Sequence, residues 1–232
     1  MRPIYVAIDT PELARALAIA EAVREHAGGL KLGLEFFAAQ GPVGVRRVAS
    51  LGLPLFLDLK LHDIPNTVAK AVQALVPLEP AILTVHAAGG AEMLRAAKAS
   101  AGPQTRLVAV TVLTSLDRED LGSIGVDSAP AGQVDRLAKL ARDSGIDGIV
   151  CSGAEVASVR SSWRDGFFVV PGVRPPDADF ADQKRVVTPA RALEDGASVL
   201  VIGRPITGAA DPARAIAEIA GSLKKEVIER AG

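Results

Sequence analysis

Short apolar runs alternate along the chain with longer stretches in which Leu, Ile, Val and Ala recur at helical spacing. The runs at 4–8, 30–32, 53–57, 81–85, 106–113, 148–151, 167–170 and 198–202 are too short for independent helices. Most are bounded by Gly, Pro or Asp, so they predict strands. Helical periodicity occupies 12–26, a stretch up to Leu51 interrupted near Gly41-Pro42, 65–76, a segment from Gly89-Gly90 to about Ala99, a short piece before 130–143, then 154–160, 188–195 and 211–230. Strands alternating with helices imply parallel pairing. Eight such units at this length predict an α/β protein, one (β/α)8 (TIM) barrel forming a single domain over 1–232. A doubly wound open sheet is the alternative that periodicity does not separate from it.

The third apolar run carries the densest chemistry. Leu53 to Leu57 leads into Asp58, Lys60, His62 and Asp63, then Ile64-Pro65-Asn66-Thr67, a turn feeding a helix with proline in its first turn. Residues two apart on a strand share a face, so Phe56, Asp58 and Lys60 point one way and Leu55, Leu57 and Leu59 the other. Asp58 and Lys60 could simply neutralise each other at a strand end. Their position argues for more, because parallel sheets covered by helices place their chemistry at the C-terminal ends of strands.

The residues following each predicted strand extend this picture: Asp9, Lys31, Asp58 with Lys60, His86, Thr114, Cys151 with Ser152, Gly172, and Gly203 with Arg204. In a barrel they converge on one rim. Charges of both signs alternate there, and partly buried charges require partners, so a connected Lys–Asp–Lys–Asp network is expected. Inert salt bridges plugging the barrel would leave the same pattern. Gly203-Arg204-Pro205 after the eighth strand suits a phosphate: glycine lets backbone N–H groups approach an anion, and arginine can bond two oxygens. Between strand seven and Thr188, residues 172–185 form a polar connection with Pro175 and Pro176, too long for an ordinary loop and placed as a lid or an insertion.

Composition narrows the classes. A net charge of −1 gives no basic footprint for nucleic acid or anionic membrane, and no apolar run approaches a membrane span. A single cysteine, Cys151, excludes an internal disulfide and fits a reducing cytoplasm, where a soluble protein is expected. His26, His62 and His86 lack metal-ligand spacing, and Asp58 and Asp63 have Lys60 between them, so no metal is expected. His62 and His86 read as hydrogen-bonded rim residues. No G-x-G-x-x-G follows the first strand.

Asp58-Leu-Lys-Leu-His-Asp-Ile-Pro-Asn-Thr67 closely resembles the D-x-K-x-x-D-I-P-N-T signature of the bacterial orotidine 5′-phosphate decarboxylase family. Ala7-Ile-Asp9, Lys31-Leu-Gly33, Val85-His-Ala-Ala-Gly-Gly90, Val110-Thr-Val-Leu-Thr-Ser115, Pro171-Gly-Val-Arg-Pro175, Asp182-Gln-Lys-Arg185 and Val201-Ile-Gly-Arg-Pro205 follow that family in its order. D-x-K-x-x-D alone is shared with magnesium-dependent phosphosugar decarboxylases and aldolases of the same superfamily, the alternative. Leu61, where an aromatic is common, and Pro171, where threonine is common, depart from the pattern without touching a functional position.

The resemblance implies decarboxylation of orotidine 5′-monophosphate to uridine 5′-monophosphate, the last step of de novo pyrimidine synthesis, without metal or organic cofactor. It implies a homodimer with active sites shared across the interface. By position, Lys60 would protonate C6 of the pyrimidine and Asp58 would face the substrate carboxylate. Lys31 would join the charge network, as would Asp63 from the other subunit. Asp9 and, across the interface, Thr67 would hold the ribose. Thr114 and Ser115 would meet the base, and Arg174, Gln183, Gly203 and Arg204 the phosphate.

Overall fold

The computed structural model describes residues 2–174 and 187–231, with side chains described as far as residue 223. Eight strands are present: β1 (Ile4–Ile8), β2 (Gly29–Gly33), β3 (Leu55–Leu61), β4 (Ile82–His86), β5 (Arg106–Val110), β6 (Gly148–Val150), β7 (Phe167–Val170) and β8 (Val199–Ile202). Each pairs in parallel with the next, and β8 returns to β1, closing a barrel in sequence order. This is the expected (β/α)8 fold, and closure removes the open-sheet alternative.

Apart from a few polar and charged positions, most of them toward the C-terminal ends, the strands are apolar because both faces are covered. Inward side chains Tyr5, Ala7, Phe56, Ile82, Val108, Val169, Val199 and Val201 fill the interior. Outward ones such as Val6, Leu30, Leu57, Leu83 and Ile149 pack under the surrounding helices in a second, larger core. Fully buried side chains such as Phe36, Leu57 and Phe168 each contribute roughly 1.5–3 kcal/mol relative to exposure. At the N-terminal end of the barrel the Arg106 guanidinium lies 4.7 Å over the Phe167 ring.

The helices follow the predicted apolar stripes within a few residues. Leu34–Ala49 kinks at Gly41, whose φ of +56° a β-carbon would strain, immediately before Pro42, which offers no N–H to the helix. Pro65 opens the helix Pro65–Leu75, and the Thr188 hydroxyl caps Pro189–Glu194 by accepting the Arg191 N–H. Among the described residues no helix is long and apolar enough to cross a membrane.

Candidate active site

At the C-terminal rim the strands surround a cavity of about 500 Å³. Its floor is the top of the interior core, including Ala7, Phe56, Val169 and Val201, and Val110, Val112, Val150 and Cys151 supply an apolar wall. The opposite side is charged. Asp58 Oδ1 accepts from Lys60 Nζ at 2.9 Å, and its Oδ2 lies 3.7 Å from Lys31 Nζ. Lys31 in turn donates to Asp9 Oδ1 at 3.1 Å. Lys31 is buried, and the Asp58 side chain is only 15% exposed, so each needs the other's charge to offset desolvation. The order Asp9–Lys31–Asp58–Lys60 runs across three adjacent strand ends. An alternating network is thus built, although Asp63 is not its fourth member within one chain.

Local backbone geometry explains how Asp58 and Lys60 share a cavity. β3 continues past Leu57, where the apolar run suggested its end, to Leu61. Leu57 pairs with Leu83 and Leu61 with Val85, so Asp58, Leu59 and Lys60 stand opposite the single residue Thr84. Lys60 takes a left-handed conformation with φ of +48° inside this bulge. Such a conformation persists in a lysine only where surrounding contacts dictate it, and it re-aims the side chain. The alternation expected from sequence survives: Phe56, Asp58 and Lys60 line the cavity, while Leu55, Leu57 and Leu59 enter the outer core.

Thr114, Arg174, Gly203 and Arg204 also line the cavity. Arg174 is buried, and its Nη1 donates to Val173 O at 3.1 Å. Gly203 precedes one helical turn, Arg204–Thr207. The long connection after β7 is pinned at its described ends by a bridge between Val173 and Val187 and by the Arg174 N–H donated to Val187 O. Gln183 and most of the expected lid lie outside the described residues. Ser115 is exposed and does not line the cavity. Asp63 and Thr67 are exposed as well, and the Asp63 carboxylate accepts the Ile64 N–H at 2.7 Å. Among the described residues no three His, Cys, Asp or Glu side chains gather as metal ligands.

Two further participants had no role assigned from the sequence, although Gly33 stands in the Lys31-Leu-Gly33 segment. A β-carbon on Gly33 would stand 3.1 Å from Lys31 Nζ and 3.4 Å from Asp9 Oδ1, so this glycine keeps open the space in which the pair meets. Thr84, fully buried, contacts both Asp58 and Lys60.

His62 and His86 stack beside this network, ring centroids 5.3 Å apart and planes 15° from parallel. The Ala88 N–H donates to His86 Nδ1, which suits a neutral ring. Burial, then the His62 ring and the Lys60 ammonium, hold the His86 pKa below its ordinary value of 6.5. The unfolded chain therefore binds a proton at His86 before the folded one does. The resulting stability is present above pH 6.5 and is lost as pH falls toward the folded-state value. His86→Asn, which can still accept the Ala88 N–H, is expected to flatten that dependence. Its melting temperature should fall less than the parent's between about pH 7.5 and about pH 5.5. Equal falls would refute the linkage.

Known proteins share this build over nearly the whole chain. Residues 2–219 match the model of the family described as orotidine 5′-phosphate decarboxylase / HUMPS. The chain is 66% identical over 221 residues to an orotidine 5′-phosphate decarboxylase of Sphingopyxis alaskensis, covering 95% of this chain and 99% of that one. It is 58% identical over 221 residues to one of Novosphingobium aromaticivorans, with the same coverage of 95% and 99%. The crystal structure of orotidine 5′-phosphate decarboxylase from Lactobacillus acidophilus superposes with a TM-score of 0.83 at 35% identity, covering 96% of this chain and 99% of that one.

Proposed function

The chain belongs to the orotidine 5′-phosphate decarboxylase / HUMPS family, and from that premise we propose that it decarboxylates orotidine 5′-monophosphate to uridine 5′-monophosphate. In this reading it completes de novo pyrimidine synthesis in the cytoplasm and uses neither metal nor organic cofactor. The observation that carries the proposal is the Asp58 carboxylate held between the Lys31 and Lys60 ammonium groups at a cavity whose rim also bears Arg174, Gly203 and Arg204.

The chemistry follows from charge. When the C6–carboxyl bond breaks, its electron pair stays on C6, which has no adjacent carbonyl to absorb it. A fixed ammonium there is favoured most in the transition state, where that charge develops. Lys60 then gives its proton to C6 as general acid, and carbon dioxide leaves. Asp58 aims Lys60 and faces the substrate carboxylate, favouring a state in which the departing charge has begun to move away. Lys31 balances Asp58 and Asp9. Asp9 holds the ribose, Thr114 meets the base, and Arg174, Gln183, Gly203 and Arg204 take the phosphate. Phosphate binding far from the broken bond would serve to order the site.

The site is completed in a homodimer. Asp63 and Thr67 lie exposed at the start of the Pro65–Leu75 helix and do not line their own cavity, and Ile64 between them is 67% exposed, as suits a surface that meets a second copy. From there Asp63 joins the partner's charge network and Thr67 its ribose site.

Purified protein incubated with orotidine 5′-monophosphate and excess EDTA is expected to lose the orotate absorbance and yield uridine 5′-monophosphate. No conversion with EDTA, but turnover of a keto-sugar phosphate once magnesium is restored, would move the chain to the phosphosugar branch. Inactivity of folded protein under both conditions would leave a phosphometabolite-binding protein.

A further inference from the structure

Thr84 stands alone opposite the three-residue bulge that carries both Asp58 and Lys60. Its side chain is fully buried and does not line the cavity. The Lys60 N–H reaches its Oγ1 at 2.8 Å, and the hydroxyl lies 3.1 Å from Asp58 Oδ1. Directionality is settled by the partners. An amide nitrogen only donates and an ionised carboxylate only accepts, so the hydroxyl takes the Lys60 N–H on a lone pair and gives its own proton to Asp58. One buried hydroxyl thereby ties the left-handed backbone of Lys60 to the carboxylate that Lys60 Nζ itself contacts at 2.9 Å. The loop is closed: backbone of Lys60, Thr84, Asp58, ammonium of Lys60.

We propose that Thr84 is a positioning residue, whose hydroxyl fixes the bulge conformation and the orientation of Asp58 so that the Lys60 ammonium is aimed at the reacting carbon. The proposal rests on the decarboxylase reading above. It goes beyond the charged network by assigning part of its geometry to a neutral side chain that touches no substrate. Without the hydroxyl, a buried N–H and a carboxylate lone pair lose their partner, and the strained lysine backbone loses a contact that dictates it. The cavity lining is unchanged, so substrate binding should survive while alignment suffers.

Thr84→Val keeps the branched shape and removes the hydroxyl; Thr84→Ser keeps the hydroxyl and removes a methyl group. Misplacement of about 1 Å can cost on the order of 100-fold in rate, so Thr84→Val is expected to lower kcat roughly 10- to 100-fold with KM within about threefold of the parent. Thr84→Ser should hold kcat within about threefold. Thr84→Ala, which lacks the hydroxyl and adds no bulk, should show the same split and provides the measurement if the valine variant does not fold. Parental kcat in a hydroxyl-free variant would overturn the inference. So would equal losses in the serine and hydroxyl-free variants that track lowered melting temperatures, since those report packing. A parent without decarboxylase activity would overturn the functional reading and this inference with it; an active parent unaffected by the loss of the hydroxyl overturns this inference alone.

Discussion

Lys60→Ala is expected to abolish turnover while leaving a folded protein that still binds uridine 5′-monophosphate. Two contributions vanish together: the proton delivered to C6 and the fixed positive charge beside the developing carbanion. Combined, losses typical of a general acid and of a preorganised electrostatic contact amount to roughly four orders of magnitude or more in kcat. The fold should tolerate the change. Alanine keeps a β-carbon on the same left-handed backbone, and the Lys60 side chain is only partly buried, 31% exposed. Asp58 keeps Lys31 at 3.7 Å and the Thr84 hydroxyl at 3.1 Å, so it is not left as an uncompensated buried charge. Arg174, Gly203 and Arg204, across the cavity, are untouched and should continue to hold the phosphate of the product. Steady-state kinetics, product titration and thermal unfolding on one preparation check all three statements. Near-parental decarboxylation would remove Lys60 as the acid, and loss of product binding would mean that its charge also anchors the ligand.

The contrast between Lys60 and Thr84 shows what the sequence could disclose. The eight strands were legible because a parallel strand buried on both faces is written as an unbroken apolar run, as in Ile4–Ile8 and Val199–Ile202. Charged residues at the ends of such runs were equally legible, because water does not explain four charges converging on one rim. β3 was misjudged at its end for the same reason. Asp58 and Lys60 look like the beginning of a loop, yet pairing with β4 carries the strand on to Leu61 and absorbs the charges in a bulge. A bulge depends on the partner strand, so nothing in residues 55–61 alone announces it. Thr84 gives no such signal: threonine is at home in any strand, and its importance lies in distances of 2.8 and 3.1 Å to Lys60 and Asp58 on the neighbouring strand. Gly33 stands in the Lys31-Leu-Gly33 segment, but a glycine at a strand end reads as punctuation, and only the packing shows the space it keeps open between Lys31 and Asp9. Ser115 shows the limit of positional reasoning in the other direction: it follows Thr114 directly, yet only Thr114 lines the cavity.

Asp63 and Thr67 pose the sharpest test of the shared-site reading, because within one chain they are exposed and do not line the cavity. Mixing Lys60→Ala subunits with Asp63→Ala subunits, each inactive or nearly so alone, is expected to restore activity. In a mixed dimer one site combines both substitutions and is dead. The other takes Lys60 from one chain and Asp63 from its partner and is intact. Random exchange at equal concentrations makes half of the dimers mixed, so about a quarter of all sites should be restored. Recovery should approach about a quarter of the parental kcat per total site, with parental KM, because the restored sites are chemically unaltered. An Asp63 acting within its own chain predicts no recovery at all, since every chain then carries one lesion in its only site. Exchange must be verified independently, for example by mass spectrometry of subunits of different isotopic composition. If mixed dimers form and activity does not return, Asp63 acts only through the turn in which it accepts the Ile64 N–H, and the network of charges at the reacting carbon is complete with Asp9, Lys31, Asp58 and Lys60.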